Sequence, residues 1–388
     1  MALDKETCDQ LIQAIRRFVD ERLIPAEKLV SEADEVPPAL VDEMRDLGLF
    51  GLSIPEEYGG LGLTMEEEAL VILELGRAAP AFRSMIATNV GIGSQGIAID
   101  GTLEQKARYL PRLASGEIIG SFALTEPEVG SDAGSVRTQA RRNGDSYVLN
   151  GTKRFITNAP LAGLFTVMAR TDPAQKGARG VSAFVIEAGL PGLSLGKPEH
   201  KMGQQGAHVC DVIFDNVHVS ADALIGGVEG RGFKTAMKVL DKGRLHIAAA
   251  CTGLAERIID DMVAYAISRT QFGKPIAEFQ LIQAMLADSR AEAFAARAMV
   301  LDAARRRDAG EDVAMLASCA KMFASEMVGR VADRNVQVHG GNGYIREYRA
   351  EQLFRDARLF RIYEGTTQIQ QTIIARGLIE AQTSDMGR

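Results

Sequence analysis

Apolar residues recur at helical spacing over the first third of the chain. The first such stripe consists of Leu11, Ile15, Phe18, Val19 and Leu23. Spacing of three or four residues predicts an amphipathic helix with one buried face. Further helical segments follow after Pro25, and a capping box at Thr64 predicts the start of another helix. We therefore predict an N-terminal helical domain over residues 1–119.

The pattern changes at Gly120, where β-branched residues begin to alternate with polar ones. This alternation predicts strands, and the pairs Asn143-Gly144 and Asn150-Gly151 are typical of tight turns between antiparallel neighbours. Further strands are predicted over 164–169, 181–186 and 209–214, with no long helix between them. The segment 120–228 is therefore predicted to form a small antiparallel barrel or sandwich.

Helical spacing returns from Gly232 onward. One apolar stripe consists of Ala255, Ile258, Ile259, Met262, Val263, Ala266 and Ile267. Long alanine-rich segments with short connections follow, and this arrangement predicts a helical bundle over residues 229–388. The chain as a whole is predicted to be mainly α, with a central β domain.

Composition excludes several classes of function. The 388 residues carry a net charge of -7 with acidic and basic residues interspersed, so no basic block is available to bind nucleic acid. No apolar run is long enough to insert into a membrane. The N-terminal segment is too acidic for a transit peptide and lacks the apolar core of a signal peptide, so we expect a cytoplasmic protein. The histidines show no metal-ligand spacing, and we predict no metal.

The most informative stretch for chemistry surrounds Glu364. Gly365 can adopt backbone angles that other residues avoid, so the chain can leave a helix there and direct Glu364 into a cavity. A carboxylate beside the apolar Ile362 and Tyr363 becomes a stronger base when it is partly desolvated. The alternative is a glutamate at a helix end in solvent.

Two segments of the β region have features suited to a ligand. Gly130 and Ser131 offer backbone and hydroxyl donors that can bind a pyrophosphate without side-chain charge, and Thr125 adds a hydroxyl. The strand end at residues 153–158 combines an aromatic, a branched and a hydroxyl side chain, which can lie along a flat heterocycle. The alternative for both segments is an ordinary loop and an ordinary strand end.

Taken together and in this order, these motifs resemble the acyl-CoA dehydrogenase family over nearly the whole chain. The resemblance implies a helical domain, a small β domain and a C-terminal four-helix bundle, with bound FAD. It also implies that Glu364 is the catalytic base. Some branches of the family place the base at the position of Gly243, which cannot serve here and leaves the role to Glu364.

The resemblance implies two sets of FAD contacts. Those made within one subunit are Phe122, Leu124, Thr125, Ser131, Phe155, Ile156, Thr157, Thr366 and Gln368. The family usually has Trp where this chain has Phe155, so the flavin packing is expected to differ. The contacts in the bundle domain are Arg269, Phe272, Gln280, Gln337, Gly340 and Gly341. Because the family makes such contacts from a neighbouring subunit, the resemblance implies a homo-oligomer, expected to be a tetramer.

The resemblance also implies the reaction. Substrate contacts would be Ser131, Asp241, Arg244, Tyr363 and Gly365. Glu364 would take the α-proton of an acyl-CoA while the β-hydride passes to flavin N5, giving a trans-2-enoyl-CoA. Reduced flavin would then pass its electrons to an electron-transfer flavoprotein.

The resemblance defines the acyl group of the substrate less closely than it defines the reaction. Thr88 and the glycines at positions 91, 93 and 96 fall on the helix that lines the acyl pocket in the family, and the lack of side-chain bulk there could admit a longer or branched chain. The resemblance implies a short- to medium-chain or branched acyl group, with the chain length left open. The sequence leaves two alternatives open. One is an acyl-CoA oxidase or a member of the family acting on an unusual thioester, such as a sulfinated one. The other is a non-catalytic helical binding module.

Overall fold

The computed structural model describes residues 2–386. Its N-terminal part is helical, as the apolar spacing predicts. The helices are α1 (Lys5–Phe18), α2 (Ile24–Ala33), α3 (Pro38–Asp46), α4 (Met65–Leu75), α5 (Pro80–Val90), α6 (Gln95–Asp100) and α7 (Leu103–Ala114). The capping box at the start of α4 is confirmed, because Thr64 and Glu67 bond to each other's backbone N–H groups.

The middle part of the chain forms one curled sheet. Its strands are β1 (Ile119–Ala123), β2 (Gln139–Asn143), β3 (Ser146–Thr157), β4 (Ala162–Arg170), β5 (Val181–Glu187), β6 (Leu193–Leu195) and β7 (Val209–Ser220). The strand order is β1-β4-β2-β3-β7-β6, and β5 pairs with β4. Buried aromatic and branched side chains, among them Tyr147, Phe165 and Phe184, form the core of this sheet.

Two details of the predicted meander are wrong. The sheet is mixed rather than antiparallel, because β1 and β2 both pair with β4 in parallel. Only the first Asn-Gly pair is a turn, since Asn143 pairs with Ser146 across it. Asn150 and Gly151 lie inside β3, where the register with β7 shifts between Leu149 and Gly151. A bulge of this kind bends a strand without ending it.

The C-terminal part is built on long helices. They are α8 (Gly232–Ser268), α9 (Gln280–Asp308), α10 (Ala314–His339), α11 (Ala350–Ala357) and α12 (Thr367–Met386). A short hairpin of β8 (Thr270–Gln271) and β9 (Lys274–Pro275) connects α8 to α9. Small side chains such as Ala324 and Ala332 let α8, α9 and α10 pack closely, and α12 packs on α10.

The three parts meet around α5. The amide of Asn158, which follows β3 with a left-handed backbone (φ 60°), donates hydrogen bonds to Ser84 O at 2.8 Å and Thr88 Oγ1 at 2.9 Å on α5. Gly76, just before α5, approaches the backbone of Ala250 on α8 so closely that a β-carbon would lie 2.7 Å from its carbonyl oxygen. None of the described helices is long and apolar enough to cross a lipid bilayer.

Candidate active site

A cavity of about 510 Å³ lies where α5, the ends of β1 and β3, the first turns of α8 and the segment before α12 come together. Most of the residues predicted for a site within one subunit line this cavity. They are Phe122, Leu124, Thr125, Ser131, Phe155, Ile156, Thr157, Arg244, Tyr363, Glu364 and Gly365. Residues from four distant segments of the sequence therefore share one space.

The backbone around Glu364 is unusual. Glu364 has a φ of 55° and Gly365 a φ of 86°, so two consecutive residues adopt the left-handed conformation. Such angles are costly for a residue with a side chain and persist only where surrounding contacts hold them. Gln370 supplies such contacts, because its amide donates to the carbonyls of Glu364 at 3.0 Å and Gly365 at 3.1 Å. The buried Lys321 ammonium donates to Gly365 O at 2.6 Å. The sequence predicted the special backbone at Gly365 but not at Glu364.

The carboxylate of Glu364 faces the cavity without a hydrogen-bond partner at Oε2. Burial raises its pKa, and the positive charges of Arg83, Arg244 and Lys321 oppose that rise. Glu364 therefore has the property expected of a base, namely a carboxylate with a raised pKa and a free oxygen. It packs against Gly243 of α8, where a β-carbon would lie 2.8 Å from Oε2.

Arg244 and Asp241 form a pair at the edge of the cavity. The Nη1 atom of Arg244 donates to Oδ1 of Asp241 at 2.5 Å, and the arginine is almost fully buried. Burial raises the pKa of Asp241, and Arg244 opposes this. Of these two predicted substrate contacts, Arg244 lines the cavity, whereas Asp241 lies behind it and fixes the direction of the guanidinium.

The loop after β1 is attached to β3 by a buried ion pair that the sequence analysis missed. Oε1 of Glu126 accepts from Lys153 Nζ at 2.7 Å and from Thr138 N at 2.8 Å, and Oε2 accepts from Arg137 N at 2.7 Å. Burial lowers the pKa of Lys153 to about 8, against the opposing effect of Glu126. The pair holds the loop that carries Thr125 and Ser131 in place beside the cavity.

At the open side of the cavity, the loop and β3 present groups suited to a flat ligand. The backbone N–H groups of Gly130 and Ser131 donate no hydrogen bond to any part of the described chain. Phe155 has a φ of 58° and leaves 56% of its surface exposed, with the guanidinium of Arg154 4.9 Å from its ring centre. Free amide donors beside an exposed ring fit a pyrophosphate attached to an aromatic heterocycle.

The remaining predicted residues do not line this cavity. Thr366 and Gln368 lie next to it, at the start of α12. The bundle-domain set of Arg269, Phe272, Gln280, Gln337, Gly340 and Gly341 lies at the opposite end of α8. Between Arg244 and Ser268 that helix extends about 36 Å. The end of α10 is close to the same end of α8, since the hydroxyl of Tyr265 donates to His339 O at 3.3 Å.

Several cavity residues escaped sequence reasoning. Arg83 and Ser84 line it from α5, beside the Thr88 that was expected there, and His246 lines it from α8. A single arginine in a mostly apolar helix gives no motif, and only the apolar residues on both sides of Arg83 could have indicated its burial. Lys321 lies within the long helix α10, and the sequence around it likewise contains no motif that indicates a site residue.

Comparison with known proteins gives a consistent result along the chain. Three family models match. "Acyl-CoA dehydrogenase, N-terminal domain" matches residues 5–117, and "Acyl-CoA dehydrogenase, middle domain" matches residues 121–217. "Acyl-CoA dehydrogenase, C-terminal domain" matches residues 230–379. The three matches follow one another in the order in which the helical, β and helical parts occur.

Two relatives align over almost their full lengths. An acyl-CoA dehydrogenase of Bacillus subtilis (strain 168) is 42% identical over 365 residues, which are 94% of this chain and 96% of the relative. The caffeyl-CoA reductase-Etf complex subunit CarC of Acetobacterium woodii is 39% identical over 374 residues, which are 96% of this chain and 98% of the relative.

Solved structures share the whole fold. Butyryl-CoA dehydrogenase from Megasphaera elsdenii superimposes with a TM-score of 0.93 at 36% identity, covering 98% of this chain and 99% of the other. A structure described as PigA with FAD and proline superimposes with a TM-score of 0.93 at 27% identity, covering 97% of this chain and 98% of the other.

Proposed function

This chain belongs to the acyl-CoA dehydrogenase family, and we propose that it oxidises the α,β bond of an acyl-CoA to a trans-2-enoyl-CoA, with Glu364 as the base. The family is FAD-dependent, so the enzyme is a flavin oxidoreductase. The observation that supports the role of Glu364 best is its unpartnered Oε2 in the cavity, on a carboxylate whose pKa is raised by burial.

Glu364 removes the α-proton. The hydrogen next to a thioester carbonyl is a weak acid, so its removal needs both a base and a group that stabilises negative charge on the carbonyl oxygen. The backbone N–H of Glu364 donates no hydrogen bond within the described chain, and it is free to donate to that oxygen. The left-handed backbone at this residue, fixed by Gln370 and Lys321, determines where both groups point.

The residues beside Glu364 fit FAD. The free N–H groups of Gly130 and Ser131 would hold its pyrophosphate, and Phe155, Ile156 and Thr157 would lie along its ring system. When bound, FAD supplies the acceptor for the hydride that leaves the β-carbon. The protein's part is to hold the acyl chain between this acceptor and Glu364, in a cavity with apolar walls such as Ile247 and Ile369.

The bundle-domain residues belong to a second site in this proposal. Arg269, Phe272 and Gln337 are too far from the cavity of their own chain to reach a ligand there, because α8 separates them by about 36 Å. Phe272 is also 94% exposed at the tip of its hairpin. These residues would contact FAD bound to a partner copy, so we propose a homo-oligomer, with a tetramer as the expected form.

The proposed acyl group is short to medium or branched, and the proposed electron acceptor is an electron-transfer flavoprotein. One relative is named as a subunit of an Etf complex, which supports that partner. An acyl-CoA oxidase is the rival within the same fold, and oxygen consumption without the flavoprotein would favour it. A non-catalytic binding module is disfavoured by the retained Glu364 and by the free donors of the loop at Gly130.

The proposal is tested by an anaerobic titration of the purified yellow protein with straight and branched acyl-CoA thioesters of increasing length. Loss of the visible flavin absorbance with one group of thioesters is the expected result. A protein that purifies with FAD and is bleached by none of these thioesters would refute the proposed reaction. Colourless protein that does not take up added FAD would support the binding module instead.

A further inference from the structure

Arg83 is a buried cation in the wall of the cavity. The face of α5 that lines the cavity carries Arg83, Ser84, Ala87 and Thr88. Arg83 leaves only 7% of its surface exposed, and its Nε atom contacts no hydrogen-bond acceptor. Within the described residues its guanidinium takes part in no ion pair. This contrasts with most buried charges, which are paired.

The acidic residues nearby are already engaged. Glu68 lies fully buried beside the cavity and pairs with Lys242 at 2.8 Å and with His246 Nε2 at 3.1 Å. These partners hold the pKa of Glu68 at about 2 even though burial alone would raise it. Asp241 is likewise paired with Arg244. Asp132 also lines the cavity but is exposed, and no carboxylate of the described chain lies within ion-pair distance of Arg83.

Ionised Glu364 carries one negative charge and balances only part of the positive charge of Arg83, Arg244 and Lys321. Arg83 and Glu364 form no ion pair, and the pKa of Glu364 remains raised by burial despite Arg83, Arg244 and Lys321 around it. Once the carboxylate accepts the α-proton it is neutral, and the cavity then holds unbalanced cations. A buried guanidinium without an anion costs several kcal/mol, so this wall of the cavity favours a ligand that brings an anion.

We infer that Arg83 binds a second anionic group on the acyl chain, so that the substrates are acyl-CoA thioesters with a terminal carboxylate or sulfinate. This inference rests on the proposed function, because it assigns the acyl end of the same site. A guanidinium matches both anions, since its planar fork donates two parallel hydrogen bonds to a pair of oxygens. The hydroxyl of Ser84 lines the same wall and offers a further donor.

Hydrogen bonds from Asn158 fix the position of α5, the helix that carries Arg83. Asn158 at the end of β3 donates from its amide to Ser84 O at 2.8 Å and to Thr88 Oγ1 at 2.9 Å, so α5 is attached to the β domain at the level of Arg83. Asn158 itself is almost fully buried. A charge held on a fixed helix can select one ligand length, because it cannot move to meet a shorter or longer chain.

The test compares thioesters that have the same shape but differ in charge. Glutaryl-CoA and 5-methylhexanoyl-CoA differ only in whether the chain ends in a carboxylate or in an isopropyl group. Succinyl-CoA and 4-methylpentanoyl-CoA form a second, shorter pair, and 3-sulfinopropionyl-CoA replaces the carboxylate by a sulfinate. Binding to the FAD-loaded protein is measured by calorimetry under anaerobic conditions, and flavin bleaching is measured alongside.

The inference predicts that one of the anionic thioesters binds at least about 100-fold more tightly than its uncharged partner, because binding the uncharged one leaves Arg83 unpaired. In Arg83→Met this preference is lost or reversed, and in Arg83→Lys it is partly retained. The matched control is Arg77→Met, since Arg77 pairs with Asp260 outside the cavity and its loss leaves the preference intact.

Two results would overturn the inference. One is equal or tighter binding of both uncharged thioesters by the wild-type protein. The other is an equal loss of binding for charged and uncharged thioesters in Arg83→Met, which would mean that Arg83 serves only to lower the pKa of Glu364. Selective binding of an anionic thioester without any bleaching would sustain the inference while refuting the proposed oxidation, so the two failures are distinguishable.

Discussion

Gly243 and Glu364 are packed so closely that a β-carbon on the glycine would lie 2.8 Å from Oε2 of the glutamate. The Glu364 carboxylate can therefore lie this close to α8 because position 243 has no side chain. The contact holds the carboxylate against the wall of the cavity and directs it at the space where an acyl chain fits. The absence of a side chain on one helix thus positions the base carried by another segment.

The first prediction follows from this contact. In Gly243→Ala the new methyl group forces the Glu364 carboxylate to move, and a displacement of about 1 Å can lower the rate of substrate-dependent flavin reduction by roughly 100-fold. Stopped-flow measurement of bleaching checks this. The control is Gly377→Ala on α12, where the nearest atoms belong to the flexible Met315 and the rate is expected to stay within about twofold.

A second prediction concerns pH. Glu364 must be deprotonated to act, so kcat/KM falls as the pH drops through its pKa, and burial places that midpoint above 4.5. Lys321→Met removes a cation that favours the carboxylate, so the midpoint moves to higher pH. The surface variant Lys238→Met is expected to leave it in place, because Lys238 pairs with Asp100 outside the cavity. A midpoint that moves downward in Lys321→Met would contradict the assignment.

Folding stability provides a third, independent check on the same carboxylate. The folded state binds the Glu364 proton more tightly than the unfolded state does, so wild-type stability falls as the pH rises from 4.5 through the raised pKa. Glu364→Gln has no charge to bury, so the variant should unfold at a higher temperature than the wild type at neutral pH. The difference should shrink toward pH 4.5. If the variant is less stable than the wild type at neutral pH, burial of the ionised carboxylate does not destabilise the folded protein.

The fourth prediction concerns the loop that carries Thr125 and Ser131. Glu126→Gln leaves Lys153 buried without its counter-ion, which should destabilise the protein by about 3 kcal/mol or more and loosen the loop, so that FAD is lost during purification. Thermal unfolding and flavin content measure the two effects. Glu128→Gln is the matched control in the same loop, since Glu128 pairs with Arg137 in solvent and should change neither.

A fifth prediction tests whether two copies build each site. Arg269→Ala and Glu364→Gln should each be inactive, because one removes a contact to the partner's cofactor and the other removes the base. Co-expression of the two variants should restore about one quarter of the wild-type activity, because random pairing joins an intact cavity to an intact partner in that fraction of sites. If co-expression restores nothing, both residues act in the same copy of the site.

Much of the architecture could be predicted from local sequence. The apolar stripe from Ala255 to Ile267 lies on α8, and the capping residue Thr64 starts α4. Parallel pairing of β1 with β4 could not be predicted, because the two strands are far apart in sequence and no local pattern states which edge a short strand joins. Asn150-Gly151 has the composition of a turn, but pairing with β7 on both sides of it keeps β3 continuous.

The site was harder to predict than the fold. Gly365 indicated a special backbone beside Glu364, but the cavity that gives the carboxylate its raised pKa depends on α5 and α8, which are distant in sequence. Arg83 was missed because a lone arginine in a helix usually lies at the surface. Its burial is a consequence of α5 being enclosed on nearly every face, which only the packing of three domains reveals.

The most direct measurement is the anaerobic reduction of FAD by acyl-CoA in Glu364→Gln, compared with the wild type and with Glu311→Gln, a surface glutamate that pairs with Arg306. All three proteins should purify with equal flavin, and only Glu364→Gln should lose bleaching, by about 100-fold or more. Bleaching of Glu364→Gln at the wild-type rate would contradict the claim that this carboxylate removes the α-proton.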